Sequence, residues 1–229
     1  MQSIYKYIIF SIVLVCCVLP LNAQTKDTKT DSIPKVWYNG IRAEIDVAPI
    51  VSTFLSNSET FSYEGGVQAD ILHKYYPVVE IGFAGADRTT STDIRFKTNG
   101  LFGRVGLDFN LMKPKAGAKP SNNVFLAGAR IGFSSFNYSM TNIVITDDYW
   151  NERTILNYPN EAVIKVWFEV VAGMRVEVIK NIYMGWTIRN KHTLGQSMAG
   201  EMNPWYIPGF GKNLTGSNWG VNYSIGYKF

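Results

Sequence analysis

The sequence predicts an all-β chain: an antiparallel, up-and-down barrel of about eight membrane-crossing strands around a polar, side-chain-filled lumen. Three observations predict it. From Trp219 to Phe229 the chain alternates without a break, with Trp219, Val221, Tyr223, Ile225, Tyr227 and Phe229 on one face and Gly220, Asn222, Ser224, Gly226 and Lys228 on the other. A period of two is the side-chain period of an extended strand. Seven earlier segments repeat that two-faced design. Beyond the N-terminal leader no apolar run suits a membrane helix, so any crossing falls to strands, which need only about 9–11 residues each.

Residues 1–23 read as a secretory signal peptide. Lys6 supplies the positive start, Ile8 to Leu19 the apolar run, Pro20 the break and Ala23 the small residue before cleavage. The run is shorter than the ~20 residues of a spanning helix. Cleavage there removes Cys16 and Cys17, and with them any disulfide, thiolate metal site or cysteine nucleophile. Lipidation is disfavoured because Val15 precedes Cys16, where lipoprotein signals carry Gly, Ala or Ser. Residues 24–38, rich in Thr, Asp and Lys, read as a flexible periplasmic leader. Residues 39–229 are left for the barrel.

The first strand, 40–48, sets Ile41, Ala43, Ile45 and Val47 against Arg42, Glu44 and Asp46. The second, 61–72, opposes Tyr63, Val67, Ala69 and Ile71 to Glu64, Gly66, Gln68 and Asp70. A turn at His73 to Pro77 leads to 78–86, where Val79, Ile81 and Phe83 face away from Glu80 and Gly82. Next, 100–110 separates Leu101, Val105, Leu107 and Phe109 from Arg104, Gly106 and Asp108, and 123–134 separates Phe125, Ile131 and Phe133 from Gly128, Arg130 and Gly132. In 163–179, Phe168, Val170, Met174 and Val176 oppose Glu169, Gly173, Arg175 and Glu177. After Lys180-Asn181, Met184, Trp186 and Ile188 oppose Gly185, Thr187 and Arg189. The connections alternate: short turns at 73–77 and 180–181 with a longer Lys/Pro/Gly loop at 111–122 on one side, and the segments 49–60, 87–99, 135–162 and 190–217 on the other. An even strand number with short turns at one end and long loops at the other is the asymmetry of bacterial membrane barrels.

Composition agrees. The chain is 46% hydrophobic and 14% aromatic, which excludes a disordered polymer, and 17% charged, below the ~25% of soluble domains. A net charge of +4 without a clustered basic patch gives no support to a nucleic-acid partner.

Alternation alone leaves open which face is inside, because a soluble lipocalin-like barrel would put the apolar face inward. The cations in mid-strand are Arg42, Arg104, Arg130, Arg175 and Arg189, while the lysines cluster in turns, loops and strand ends. Arg suits enclosed ion pairs because its planar fork binds carboxylates bidentately. The same face carries Glu44, Asp46, Glu64, Asp70, Glu80, Asp108, Glu169 and Glu177, interleaved with glycines. Long charged chains beside glycines suit a narrow interior, so this face is expected to form a charge-paired lumen. Aromatics near strand ends, among them Tyr75, Tyr76, Tyr183, Tyr227 and Phe229 at one end and Phe61, Phe133, Trp186 and Trp219 at the other, are expected to form two belts.

On these features the chain resembles the small eight-stranded outer-membrane barrels exemplified by the OmpA transmembrane domain and OmpX. Its Asn22-Ala23-Gln24 cleavage region and Tyr/Asn-rich strands also resemble proteins of Bacteroidota. The resemblance implies an outer-membrane location, contact with outer-membrane lipid, and a C-terminal insertion signal, Tyr223, Ile225, Tyr227 and Phe229, read by the barrel-assembly machinery. It further implies a place beside another outer-membrane protein or lipoprotein, as an accessory subunit in barrel assembly or secretion.

Enzymatic barrels of this size, the lipid A palmitoyltransferase and deacylase, use a histidine, a serine and an acidic residue near the outer rim. Here His73 falls in a periplasmic turn, and His192 is followed by Thr193, Ser197 and Glu201 in a spacing that matches neither. No catalytic residue, cofactor or metal site is assigned. The expected role is non-enzymatic, structural or interactive; the alternatives are a narrow pore, a lipid A-modifying barrel and a soluble periplasmic lipocalin-like binder. Ile143, Ile145 and Ile155 flank Asp147 to Glu152 either as a protruding hairpin with an exposed edge, suited to strand addition, or as a plain surface loop. With Tyr149, Trp150, Trp205 and Tyr206 they form the candidate partner-binding set. The last loop, rich in Gly, Pro and aromatics, either folds over the mouth or meets another protein.

Overall fold

A computed structural model describes residues 36–55, 59–112, 122–146, 153–195 and 203–229. The expected signal peptide and most of the leader lie outside these residues, as do Tyr149 and Trp150. The strands are β1 (Tyr38–Asp46), β2 (Thr60–Ile71), β3 (Tyr75–Thr89), β4 (Arg95–Asn110), β5 (Val124–Thr146), β6 (Arg153–Ile179), β7 (Ile182–Leu194), the short pair β8 (Tyr206–Ile207) and β9 (Gly211–Lys212), and β10 (Ser217–Lys228), with one helix, α1 (Ala48–Leu55), after β1. Eight of the strands close into an antiparallel barrel in the order β1-β10-β7-β6-β5-β4-β3-β2. Closure is made by β10 on β1, from Asp46 opposite Ser224 to Arg42 opposite Lys228.

Several strands outrun their apolar stretches. β3 and β4 pair as far as Thr89 opposite Arg95, so 87–99 is mostly ladder. β5 and β6 pair to Thr146 opposite Arg153, past irregularities between Tyr138 and Ile143. The reason is chemical. Beyond Phe83 and Leu101 the outward positions turn polar, at Asp87, Lys97 and Asn99, so the apolar alternation stops although the main-chain pairing continues. The 49–60 segment is not all loop: it contains α1, which Pro49 favours because proline cannot continue a ladder and is tolerated in a helix's first turn. Asp46 Oδ1 accepts from Ala48 N at 3.1 Å and starts that helix.

The barrel is inside out relative to a soluble one. Ile81 on the outer wall is 66% exposed and Val221 62%, whereas Glu80, Arg104 and Glu169 are buried. That is the reverse of what the lipocalin-like alternative requires. Outward rings include Tyr227 and Phe229 at the short-turn end and Trp186 and Trp219 towards the other. Tyr76 and Tyr183 correct the expected belt: each is 2% exposed and points into the lumen. In a strand the facing follows parity, and both share the parity of the inward set, Glu80 and Gly185 respectively.

Candidate functional site

The interior is layered. Its middle is an ion-pair network whose members the strand register places opposite glycines. Arg104 has Glu80 as its partner on β3 and Gly132 on β5. Arg130 lies between Gly106 on β4 and Glu169 on β6. Glu64 faces Gly82, Arg175 faces Gly185 and Arg189 faces Gly220. The glycines are spatial necessities: a Cβ on Gly106 would fall 2.5 Å from Arg130 Cγ, and one on Gly128 would fall 2.1 Å from Asp108 Oδ1.

Glu80 is the hub. It receives Arg104 Nη1 at 3.1 Å, Arg130 Nη1 at 2.5 Å and Arg189 Nη1 at 2.7 Å. Arg104 and Arg189 also reach Glu64, at 2.9 and 3.2 Å. Glu169 lies 2.9 Å from Arg104 Nε and accepts from Trp167 Nε1 at 2.6 Å. Arg130 continues to Asp108 at 3.1 Å, and Gln68 donates to Asp108 at 3.0 Å. Gln68 Oε1 in turn accepts from Arg175 and Arg42. Arg175 pairs with Glu44 at 3.1 Å, and Arg42 stacks 4.3 Å from the Tyr183 ring centroid. Burying charges is tolerable only with such mutual pairing.

Three of the expected network residues sit at its margins. Asp46 meets no arginine; it accepts from Asn222 Nδ2 and Tyr223 N. Asp70 pairs with Lys228 and His73, both at 2.9 Å, at the short-turn rim. Glu177 is not in the lumen network: its carboxylate accepts from Asn181 N and Asn122 Nδ2 and so ties down the β6–β7 turn. At the last turn the interior opens to the rim, and inward parity no longer means enclosure.

The outer end is closed by apolar packing. Phe96, Phe102, Phe136, Tyr138 and Trp167 form a buried cluster with Tyr206, Ile207 and Phe210 of the last loop, which folds into the mouth. Of the two outcomes open for that loop, it takes the first. Phe210 meets Trp167 edge-on at 6.0 Å between centroids. Gly209 has φ +79°, and a Cβ there would lie 2.5 Å from Phe102 Cγ. Arg104 Nη2 and Lys191 Nζ donate to Gly209 O at 2.7 and 2.8 Å, and Asn218 Nδ2 donates to Phe210 O at 2.8 Å. Tyr206, 7% exposed, is thus a plug residue and presents no surface to a partner. Trp205 packs on Phe96 with Arg88 and Lys212 over its ring. At the other end Tyr76, Val124 and Leu126 form a second apolar cluster. Between them, a pocket lined by Asp46, Glu64, Glu80, Arg189 and Ser224 has about 20 Å³ of room, enough for about one water.

The sequence reading placed Gln68 and Asn222 on the inward polar face without counting them in the charge network, and it missed Lys191 and Trp167 as interior residues. Parity could have found both, since Lys191 is in step with Arg189 and Trp167 with Glu169. Ile143 is buried in β5 opposite Leu156, Ile145 pairs with Thr154, and Ile155 is 58% exposed on β6. His192 contacts Asn190 beside Ser217 on the outer wall; Ser197 and Glu201 lie outside the described residues. Tyr223, Ile225, Tyr227 and Phe229 line the outward face of β10, where Phe229 N donates to Ile41 O at 2.8 Å.

These features define a class: closed eight-stranded antiparallel barrels with an apolar exterior and an ion-paired, stoppered interior. The chain belongs to the family described as a domain of unknown function, DUF6048, which matches residues 4–229. No curated protein matches it. Among solved structures it is similar to Ail, the attachment invasion locus protein of Yersinia pestis, determined in complex with the heparin analogue sucrose octasulfate; identity is 8%, the TM-score 0.40, and 83% of this chain and 94% of that one are covered. It is also similar to the N-terminal β-barrel domain of Pseudomonas aeruginosa OprF, with 12% identity, a TM-score of 0.32, and 83% and 98% of the two chains covered.

Proposed function

We propose that this protein is a non-enzymatic outer-membrane barrel that works through its surfaces, as a structural element or as an accessory subunit of a larger outer-membrane complex in barrel assembly or secretion. The observation that carries this reading is the combination of an apolar outer wall with a lumen stoppered at both ends. From Leu101 to Phe109 on β4 the apolar wall rises by about 27 Å along the strand, or about 20 Å after a barrel tilt of ~40°, close to the apolar band of such barrels. A lumen filled by ion pairs and capped by Phe210 and Tyr76 favours a silent barrel over a narrow pore. The signal peptide cleaved near Ala23, the Bacteroidota origin, the lipid contacts and the recognition of β10 by the assembly machinery belong to the same reading.

Its partner surface is the outward extension of β5 and β6. Among the described residues no strand pairs with β6 from Arg153 to Ile164 on its β7 side, where the ladder starts at Val166 opposite Leu194. A long strand edge invites main-chain pairing. The test has three parts. The protein should fractionate with outer membranes and migrate differently on gels when heated. Planar bilayers containing it should show no discrete conductance. Extraction in mild detergent should recover a stoichiometric partner that is lost when the extension is shortened across Asn142 to Asn157. Discrete channels, or an unchanged lone barrel in the mild extract, would overturn the reading.

A further inference from the structure

The apolar outer wall is interrupted by a polar island on β7 and β10. The outward positions of β6 are apolar from Val176 up to Ile164, and those of β10 are apolar or aromatic from Tyr227 up to Trp219. On β7 the outward positions run Met184, Trp186 and Ile188, then Asn190 and His192, then Leu194. The register sets Asn190 between Val170 on β6 and Trp219 on β10, and His192 between Phe168 and Ser217. Ile188 below and Leu194 above are each 52% exposed, and His192 itself is exposed. Asn190, His192 and Ser217 are thus ringed by apolar side chains on the lipid-facing side. Ionisable residues at membrane depth are expensive and mark a function beyond the wall itself.

The hydrogen-bonding capacity of the island is specific. Asn190 Oδ1 accepts from His192 Nε2, since an amide oxygen cannot donate. The ring proton is thereby placed on Nε2, and Nδ1 of the neutral imidazole is an acceptor. Asn190 Nδ2, His192 Nδ1 and the Ser217 hydroxyl have no partner among the described residues. Opposed side chains of an antiparallel pair lie about 4.5–5.5 Å apart at Cβ, so all three groups reach one small polar group. The depth says what that group is. Leu194 is two residues above His192, a climb of about 5 Å on a strand tilted by ~40°. Trp219, opposite Asn190, is 69% exposed, and such outward indoles settle at the level of the lipid headgroups. Just below that level lie the carbonyls and hydroxyls where acyl chains join the headgroup, whereas phosphates lie further out.

We propose that Asn190, His192 and Ser217 form a binding site for one outer-leaflet lipid, a hydroxyacylated glycolipid. Its acyl carbonyl accepts from Asn190 Nδ2 and Ser217 Oγ, and its chain hydroxyl donates to His192 Nδ1. Its chains run down the wall along Val170, Ile188 and Val221. A diacyl phospholipid has the carbonyls without the neighbouring hydroxyl, and so leaves Nδ1 unpaired. The inference rests on the reading of the chain as an outer-membrane barrel and deepens it by naming the lipid class and the residues that select it.

The chain has two histidines, so His73, paired with Asp70 at the short-turn rim, is an internal reference. The full chain with ring-labelled histidine is placed in phosphatidylglycerol nanodiscs, with or without hydroxyacylated lipid A, and followed by NMR. Lipid A should shift the His192 ring nitrogens and leave those of His73 in place, and exchanging phosphatidylglycerol for phosphatidylethanolamine should move neither. Lipid A retained through detergent exchange, counted by mass spectrometry, should fall about tenfold in the triple variant Asn190→Val, His192→Leu, Ser217→Ala, which lacks two or three ordinary hydrogen bonds. The labelled wild type tests the site by itself if that variant does not fold. An unmoved His192, an equal response to the two phospholipids, or equal retention by the variant would overturn the site. The photo-crosslinking residue p-benzoylphenylalanine at Leu194, in the chain's own membranes, should attach to glycolipid; attachment to a protein instead would overturn the site and leave the partner reading standing. Hydrolysis of lipid A, lost in the variant, would overturn both the site and the non-enzymatic reading. If the chain does not fractionate with outer membranes, the underlying reading fails; if it does and His192 stays unmoved, this inference alone fails.

Discussion

Arg104 and Glu80 are direct cross-strand partners on β4 and β3, and their side chains meet at 3.1 Å inside the barrel. Because Glu80 also holds Arg130 and Arg189, its removal leaves three guanidinium groups short of a counter-charge. Glu80→Ala should therefore destabilise the barrel by about 3–5 kcal/mol, the cost of breaking a buried pair from one side. Glu59→Ala, at an exposed pair with Arg88, should cost about 0–1 kcal/mol. Denaturant unfolding in detergent micelles, read by the heat-modifiable gel shift, compares them. Equal midpoints would show that Glu80 is not the hub.

Gly132 gives a steric counterpart. A Cβ at this position would sit 2.3 Å from Trp167 Cε2, and the fully buried indole is fixed by its bond to Glu169. Gly132→Ala should destabilise by about 1–3 kcal/mol, as overpacking does. Adding Trp167→Leu should recover part of that loss, because the two changes share one space and are non-additive. The same unfolding assay measures both; additive losses would place the indole elsewhere.

Asp87 and Arg95 lie on the β3–β4 extension, clear of the apolar wall. Arg95 donates to both Asp87 oxygens, at 3.2 and 2.9 Å. This hydrogen bonding, aided by the guanidinium charge, holds the Asp87 carboxyl below its ordinary range. A folded-state value below the unfolded one contributes stability that is present above the ordinary carboxylate pKa and lost as pH falls through the lowered one. Arg95→Gln should move the Asp87 titration, followed by carboxyl NMR, upward to the ordinary range with little change in global stability. An unmoved titration would mean that the pair does not persist in solution.

How much of this could be read in advance depended on which side chain was asked. Arg104, Glu80 and Arg130 were legible because mid-strand arginines beside glycines have no use on a solvated face. Strand ends were not legible at Asp87 or Asn99, where outward positions turn polar while hydrogen bonding goes on. Glu177 misled because parity specifies a face and says nothing of depth. The plug was only half legible: Trp205, Tyr206 and Phe210 marked the loop as unusual. Its seating depends on Lys191 and on φ +79° at Gly209, a contact distant in sequence and a torsion that composition does not encode. The end of β1 had a local cause in Pro49, which cannot continue a ladder and is tolerated in a helix's first turn.

The plug gives the last prediction. Lys191 is buried and donates to Gly209 O and Phe210 O at 2.8 and 3.2 Å. A buried ammonium carries a desolvation cost that its bonds must offset. Lys191→Met removes both, so the net change in global stability should be small. The local effect should not be: charge-assisted bonds contribute about 1.5–3 kcal/mol each, and losing two of them frees the loop to lift. Amide exchange should accelerate at Phe210 and Asn213, whose N–H groups bond to Ile207 O and Trp205 O within the plug, and remain slow along β4. Lys212→Met, at a side chain whose ammonium lies 5.6 Å from the Trp205 ring centroid, should leave both rates nearly unchanged. If Lys191→Met leaves plug exchange as slow as before, the aromatic contacts of Phe210 and Ile207 hold the stopper by themselves.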